Sequence, residues 1–173
     1  MLNKIAYLVI ILIILSACDS KNNAKRENQN VSSAKALEKV NKYLIRTEYE
    51  DIENYMRRHS LKMEETGSGL RYLIYKKGDG EKAEKGKVVI LDYTLSLITG
   101  DVIYSSDKDG KKVFKIGQGN VESGLEEAIH FMRVGDKAKL ILPAHLANGL
   151  LGDNNKIPPR SILVYDTELI EIK

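Results

Sequence analysis

Residues 91–106 read LDYTLSLITGDVIYSS, and their pattern decides the fold. Leu91, Tyr93, Leu95 and Leu97 alternate with Asp92, Thr94 and Ser96. Successive side chains of a strand point to opposite faces, so this run predicts a half-buried strand with one wet face, as antiparallel sheets have. Thr99-Gly100-Asp101 supplies a turn, and Val102 to Tyr104 a short returning strand. Outward in both directions the period of two recurs. Leu70 to Tyr75 is strand-like, bounded by Gly67, Gly69, Gly78 and Gly80. Ser105 to Lys112 reads as a polar loop with an Asp109-Gly110 turn, Val113 to Ile116 as a strand. Ala138, Leu140 and Leu142 mark another strand, and Ile162 to Ile172 a long final one. One helix interrupts them. Ser123-Gly124-Leu125-Glu126 has the S-x-x-E form of a capping box, and Leu125, Ala128, Ile129 and Met132 follow at i, i+3, i+4 and i+7. Antiparallel strands with a single inserted helix argue for an α+β fold.

The N-terminal part reads differently. Residues 1–18 are MLNKIAYLVIILIILSAC, with Lys4 ahead of an apolar run from Ile5 to Leu15. The run is short for a membrane span and suits a secretory leader, with an uncleaved anchor helix as the alternative. Its ending, Leu15-Ser16-Ala17-Cys18, resembles the lipobox of bacterial lipoproteins. That resemblance implies cleavage after residue 17, acylation of Cys18, and a lipid-anchored protein of the cell envelope, facing the periplasm or the surface. Each buried acyl methylene contributes about 0.8 kcal/mol and one chain holds weakly, so several chains on one cysteine anchor firmly. Residues 18–33 are polar and predict a flexible tether. From Ala34 to Arg58 the apolar residues fall on a helical stripe that drifts by one position, with no Pro or Gly inside. Two roles stay open for this helix, packing on its own domain and binding a partner or a second copy. The expected organisation is therefore a leader (1–17), a tether (18–33), an N-terminal helical segment (34–66) and one domain (67–173).

Composition narrows the function. Three prolines and 43% hydrophobic residues in 173 rule out a wholly disordered or collagen-like chain. Lys and Arg number 27 against 24 acids, a formal +3 interleaved along the chain, and Trp is absent. That disfavours nucleic acid as a partner. Cys18 is the one cysteine, so no internal disulfide forms. The three histidines (59, 130, 145) share no ligand spacing, so no metal or cofactor is expected. Gly117-Gln118-Gly119 lacks the third glycine and the βαβ setting of a dinucleotide loop. Asp107-Lys108-Asp109-Gly110 lacks the remaining ligands of a calcium loop.

From Gly69 onward three phrases stand in order: GLRYLIYKKGDGEKAEKGKVVILDYTLSLITGDVIYSS, then VFKIGQGNVESGLEEAIHFMRVGDKAKLILP, then IPPRSILVYDTELIEI. Together they resemble the FKBP-type peptidyl-prolyl isomerases. With the lipobox and the short N-terminal helix, they are similar in particular to the gliding-motility-associated isomerase lipoproteins. The resemblance implies a twisted antiparallel half-barrel sheet wrapped on one short helix, here preceded by an N-terminal helix. It implies rotation of X–Pro bonds in proline-containing exported polypeptides. By position it assigns Tyr93, Phe114, Val121 and Tyr165 to the catalytic pocket, Tyr165 standing where the family has phenylalanine. Ile103, Tyr104, Glu122, Leu125, Asn148 and Ile157 fall at substrate-binding positions. Ile103 stands for a phenylalanine and keeps an apolar wall with less area, and four others depart further: Tyr104 stands for an aspartate, Glu122 for an isoleucine, Leu125 for the tryptophan under the pocket, and Asn148 for a tyrosine that binds the substrate carbonyl. The departures leave two alternatives to an isomerase. One is a weakly or non-catalytic binding module or chaperone. The other is a structural lipoprotein of an envelope machine for motility or secretion.

Overall fold

The 91–97 alternation lies in a ten-residue strand, Val88–Leu97, that pairs with three others in a seven-stranded antiparallel sheet. The structure, a computed structural model, describes residues 19–173, with side chains from residue 35. The leader and Cys18 lie outside the described residues. In chain order the elements are α1 (Asp19–Arg58), β1 (Glu64–Glu65), β2 (Arg71–Lys76), β3 (Val88–Leu97), β4 (Val102–Ser105), α2 (Ser106–Asp109), β5 (Lys112–Lys115), α3 (Ser123–Ile129), β6 (Lys137–Leu142) and β7 (Leu163–Ile172). Strand order is β1-β2-β6-β7-β3-β4, and β5 pairs with the first half of β3 while β4 pairs with its second half. The strands shift register at Ile74/Lys76, Ile90/Leu91 and Leu95/Ser96. Such bulges increase local twist and bend the sheet. This is the expected α+β architecture.

The sheet buries both faces along β6 and β7. On one face α3 presents Leu125, Ala128, Ile129 and then Met132, all buried with Leu91, Leu95, Leu140, Leu142 and Leu163. Gly124 lets α3 come this close, since a Cβ there would sit 2.7 Å from Leu142 Cγ. The opposite face carries a smaller cluster. Ile141, Ile162 and Val164 are covered by Ile52 and Tyr55 from the end of α1. Buried Arg71 reinforces that attachment: Nη1 lies 2.6 Å from Glu65, Nη2 lies 3.3 Å from Glu53, and its guanidinium sits 5.4 Å from the Tyr49 ring centroid. The chain divides into two compact units at Arg46/Thr47. In the first unit Leu37, Val40 and Ile45 are exposed on α1.

Three expectations are corrected here. The polar stretch 19–33, read as a flexible tether, is helical. It lacks Pro and Gly, and although Asn and Ser dominate it, a helix already nucleated downstream propagates through it without a fresh nucleation cost. The capping box at Ser123 does not form. Ser123 Oγ donates to the Leu146 carbonyl at 3.4 Å, and the Glu126 carboxylate accepts from the Gly117 amide instead. The loop 105–112 contains a helical turn, α2, because Asp109 Oδ2 accepts from the Ser105 amide at 2.9 Å and folds the segment back.

Candidate active site

The curl of the sheet leaves a hollow of about 370 Å³ where β3, β4, α2, β5 and the start of α3 meet the 147–157 loop. Tyr93 and Leu95 enter it from β3, Tyr104 from β4, Asp109 from α2 and Lys112 from β5. Glu122, just ahead of α3, and the loop residues Asn148, Asp153 and Ile157 close it. Backbone bonds hold this wall. Ser106 Oγ, in the first turn of α2, accepts from the Tyr93 amide at 2.7 Å. Asp153 organises the loop: Oδ1 accepts from the amides of Ile157 at 2.7 Å and Asn155 at 2.9 Å, and Oδ2 accepts from the Tyr104 hydroxyl at 2.5 Å. Burial alone would raise the Asp153 carboxyl, but the Tyr104 hydroxyl and the backbone amides outweigh it and hold the group below its ordinary value. Gly152 makes the turn possible at φ +70, where a Cβ would lie 2.0 Å from the Ile157 carbonyl oxygen.

Beneath the hollow lies Tyr165, fully buried on β7, its ring 6.0 Å from that of Tyr93. Lys112 and Glu122 cover it. Lys112 Nζ donates to Tyr165 Oη at 2.8 Å and lies 3.1 Å from Glu122 Oε2, and Tyr165 Oη donates to Glu122 Oε1 at 2.8 Å. The same ammonium stands 5.3 Å from the centroids of both tyrosine rings, within cation–π range. The Glu122 and Lys112 side chains are only 10% and 22% exposed, so the pair is largely withdrawn from water. Burial, followed by the Glu122 charge and hydrogen bond, pushes the Tyr165 phenol well above its ordinary value. Burial and then the Asp109 and Glu122 charges push Tyr93 up as well. The apolar part of the lining comes from Leu95, Ile157 and the rings of Tyr93 and Tyr104.

Of the residues expected in the pocket, Tyr93, Tyr104, Glu122, Asn148 and Ile157 line one hollow, with Tyr165 directly below. Phe114 and Leu125 are buried in the main core instead, and Ile103 and Val121 pack against that core from its margin. Lys112, Leu95, Asp109 and Asp153 line the hollow and were not anticipated. Lys112 was legible in principle. It lies two residues before Phe114, so the strand's period of two puts both on the inward side once β5 is begun at 112 rather than 113. A second, smaller hollow of about 230 Å³ involves Tyr75, Asp92, Asp166 and Glu168. Those three carboxylates pair with Lys111, Lys139 and Lys137 respectively, as on a solvated surface.

Comparison with known proteins agrees with this geometry. A family model described as FKBP-type peptidyl-prolyl cis-trans isomerase matches residues 79–170. The FKBP-type peptidyl-prolyl cis-trans isomerase FkpA of Buchnera aphidicola subsp. Schizaphis graminum is 35% identical, over 93% of this chain and 68% of its own length. FK506-binding protein 2 of Yarrowia lipolytica is 43% identical, over 53% of this chain and 65% of its own length. This chain thus spans about two thirds of the length of these relatives. Among solved structures, FkpA from Escherichia coli superposes with a TM-score of 0.65 at 28% identity, over 91% of this chain and 73% of that one. AtFKBP13 superposes with a TM-score of 0.62 at 32% identity, over 65% of this chain and 99% of that one. Sheet, inserted helix, hollow and sequence match converge, and the chain belongs to the FKBP-type peptidyl-prolyl cis-trans isomerase family.

Proposed function

We propose that this chain isomerises X–Pro bonds of exported polypeptides at the cell envelope, held to the membrane through acylated Cys18. The observation that carries the reaction is the hollow between Tyr93, Leu95, Tyr104 and Ile157. A planar prolyl amide resists rotation by about 20 kcal/mol because of its partial double-bond character. At ninety degrees that resonance is lost, and with it much of the amide's polarity. A wall poor in water therefore favours the twisted form over the solvated planar one. Tyr93 and Ile157 would flank the proline ring, and Asn148 would meet the peptide backbone. No covalent step is needed.

The test is a protease-free assay of cis-to-trans conversion on a proline tetrapeptide. The chain should raise the rate above the spontaneous one, and Tyr93→Ala should remove most of the gain. A rate equal to the spontaneous one would refute the enzymatic reading. The envelope location rests on the lipobox sequence, and lipid labelling abolished by Cys18→Ser is its expected signature. Among the described residues no helix is long and apolar enough to cross a membrane. Residues 19–33 would then serve as a helical spacer.

A second reading draws on the ion pair over Tyr165, which narrows access to the pocket floor. It makes the domain a binding module or chaperone with weak turnover. Suppression of client aggregation without faster isomerisation would favour it. A role in a motility or secretion machine belongs to the similarity with gliding-motility lipoproteins. Exposed Leu37, Val40 and Ile45 on α1 would be its contact residues.

A further inference from the structure

We infer that the hollow selects prolines flanked by a lysine or arginine, and that Glu122 and Asn148 are the residues that choose them. The inference rests on the isomerase reading of the same site. Three observations carry it. First, the hollow has acceptor capacity left over. Asn148 Oδ1 is buried and has no hydrogen-bond partner. Glu122 Oε2 receives Lys112 at 3.1 Å, while a carboxylate oxygen can take two donors. Lys112 has no donor to spare, because its ammonium already reaches Tyr165 Oη at 2.8 Å and the Glu122 oxygens at 3.1 and 3.4 Å.

Second, the charge is unbalanced. Asp109, Glu122 and Asp153 line the hollow against Lys112 alone. Lys156, its ammonium 4.7 Å from the Tyr104 ring, offsets one more charge at the rim and leaves an excess of one negative charge. A concave site focuses such a field on whatever enters it. Third, the aromatic faces already receive cations, since lysines stand over Tyr93, Tyr104 and Tyr165. A free metal ion would not use the apolar wall. A lysine or arginine side chain uses both parts, its methylene stem along Leu95 and Ile157 and its charged head at the acceptors. An acidic residue next to the proline meets repulsion instead.

The experiment compares kcat/KM of the full chain on two peptide series. One carries lysine, leucine or glutamate before the proline, the other carries the same three after it. In at least one series lysine should exceed leucine, and exceed glutamate by about tenfold, with the ratio shrinking as salt rises. Glu122→Gln and Lys112→Met move the pocket charge in opposite directions. The first should narrow the lysine-to-glutamate ratio severalfold and the second should widen it, each checked for folding by near-ultraviolet circular dichroism. Should Lys112→Met not fold, Lys112→Gln replaces it. Leucine best in both series, with one ratio shared by all three proteins, overturns the inference. If no peptide is turned over, the isomerase reading fails by itself. Anisotropy competition with the same peptides then decides the charge preference: tighter binding of lysine peptides upholds it, and equal binding ends it.

Discussion

Tyr165 shows what one hydroxyl does in a buried place. A phenylalanine there would complete an apolar floor, whereas the tyrosine needs a partner once it is buried. Its hydroxyl donates to Glu122 and accepts from Lys112, so three polar groups satisfy one another over the core. Tyr165→Phe should therefore lower stability by about 1.5–3 kcal/mol, the usual worth of hydrogen bonds to charged groups. Urea denaturation measures it, and an unchanged midpoint would show that the network adds nothing. The same burial gives a pH signature. The Tyr165 and Tyr93 phenols are held above the ordinary 10.0, so the folded state favours their protonated forms. Their contribution to stability is complete below pH 10 and is lost as pH rises through the folded-state values. Alkaline titration should show the tyrosinate absorbance of Tyr165 appearing only with unfolding. Tyr75, raised by burial and by the Asp166 hydrogen bond and charge, should ionise at about 12. A Tyr165 ionising near 10 in the folded protein would contradict its burial.

At the scale of elements, periodicity and glycine placement made the strands legible, and packing supplied what they did not. The period of two in 91–97 marks β3 because Leu91 and Leu95 face the core while Asp92 and Thr94 face outward. The helical spacing of Leu125, Ala128, Ile129 and Met132 marks the face that α3 buries. β1 escaped notice because two glutamates, Glu64 and Glu65, carry no strand pattern; pairing with Tyr72 and Arg71 makes them a strand. In α1 the stripe was legible but not where it stops being buried. Ile52 and Tyr55 are covered, whereas Leu37, Val40 and Ile45 are exposed. Ile52 sits on Ile141, Ile162 and Val164, so Ile52→Ala should cost about 2–4 kcal/mol, a typical price for emptying a core site. It should also speed hydrogen exchange in residues 47–58. A loss near zero would mean that the end of α1 is not held to the sheet by that cluster. The pocket was legible only in part. Tyr93, Tyr104, Glu122, Asn148 and Ile157, expected at the pocket from the resemblance, line one hollow. Asp109 and Asp153 could not be found that way, because both lie between the matched phrases, and it is the backbone amides of Ser105 and Ile157, four residues away, that fix their place.

At the scale of the molecule, two charge balances differ. The whole chain is formally +3, yet the hollow is lined by more carboxylates than ammonium groups. Overall charge therefore does not describe the site, and a cationic segment is repelled by the one and drawn by the other. The site is a polar variation on an apolar theme. Its walls retain what a twisted amide needs, and its floor carries an ion pair that a purely apolar pocket lacks. The central claim is that proline turns over in this hollow. Exchange spectroscopy by nuclear magnetic resonance tests it most directly, with a proline peptide in excess and a trace of the chain. The account predicts cis–trans exchange cross-peaks that the peptide alone does not give, accompanied by shifts at Tyr93, Asn148 and Ile157 and lost in Tyr93→Ala. No exchange above that of the free peptide, at any concentration that shifts those resonances, would contradict it.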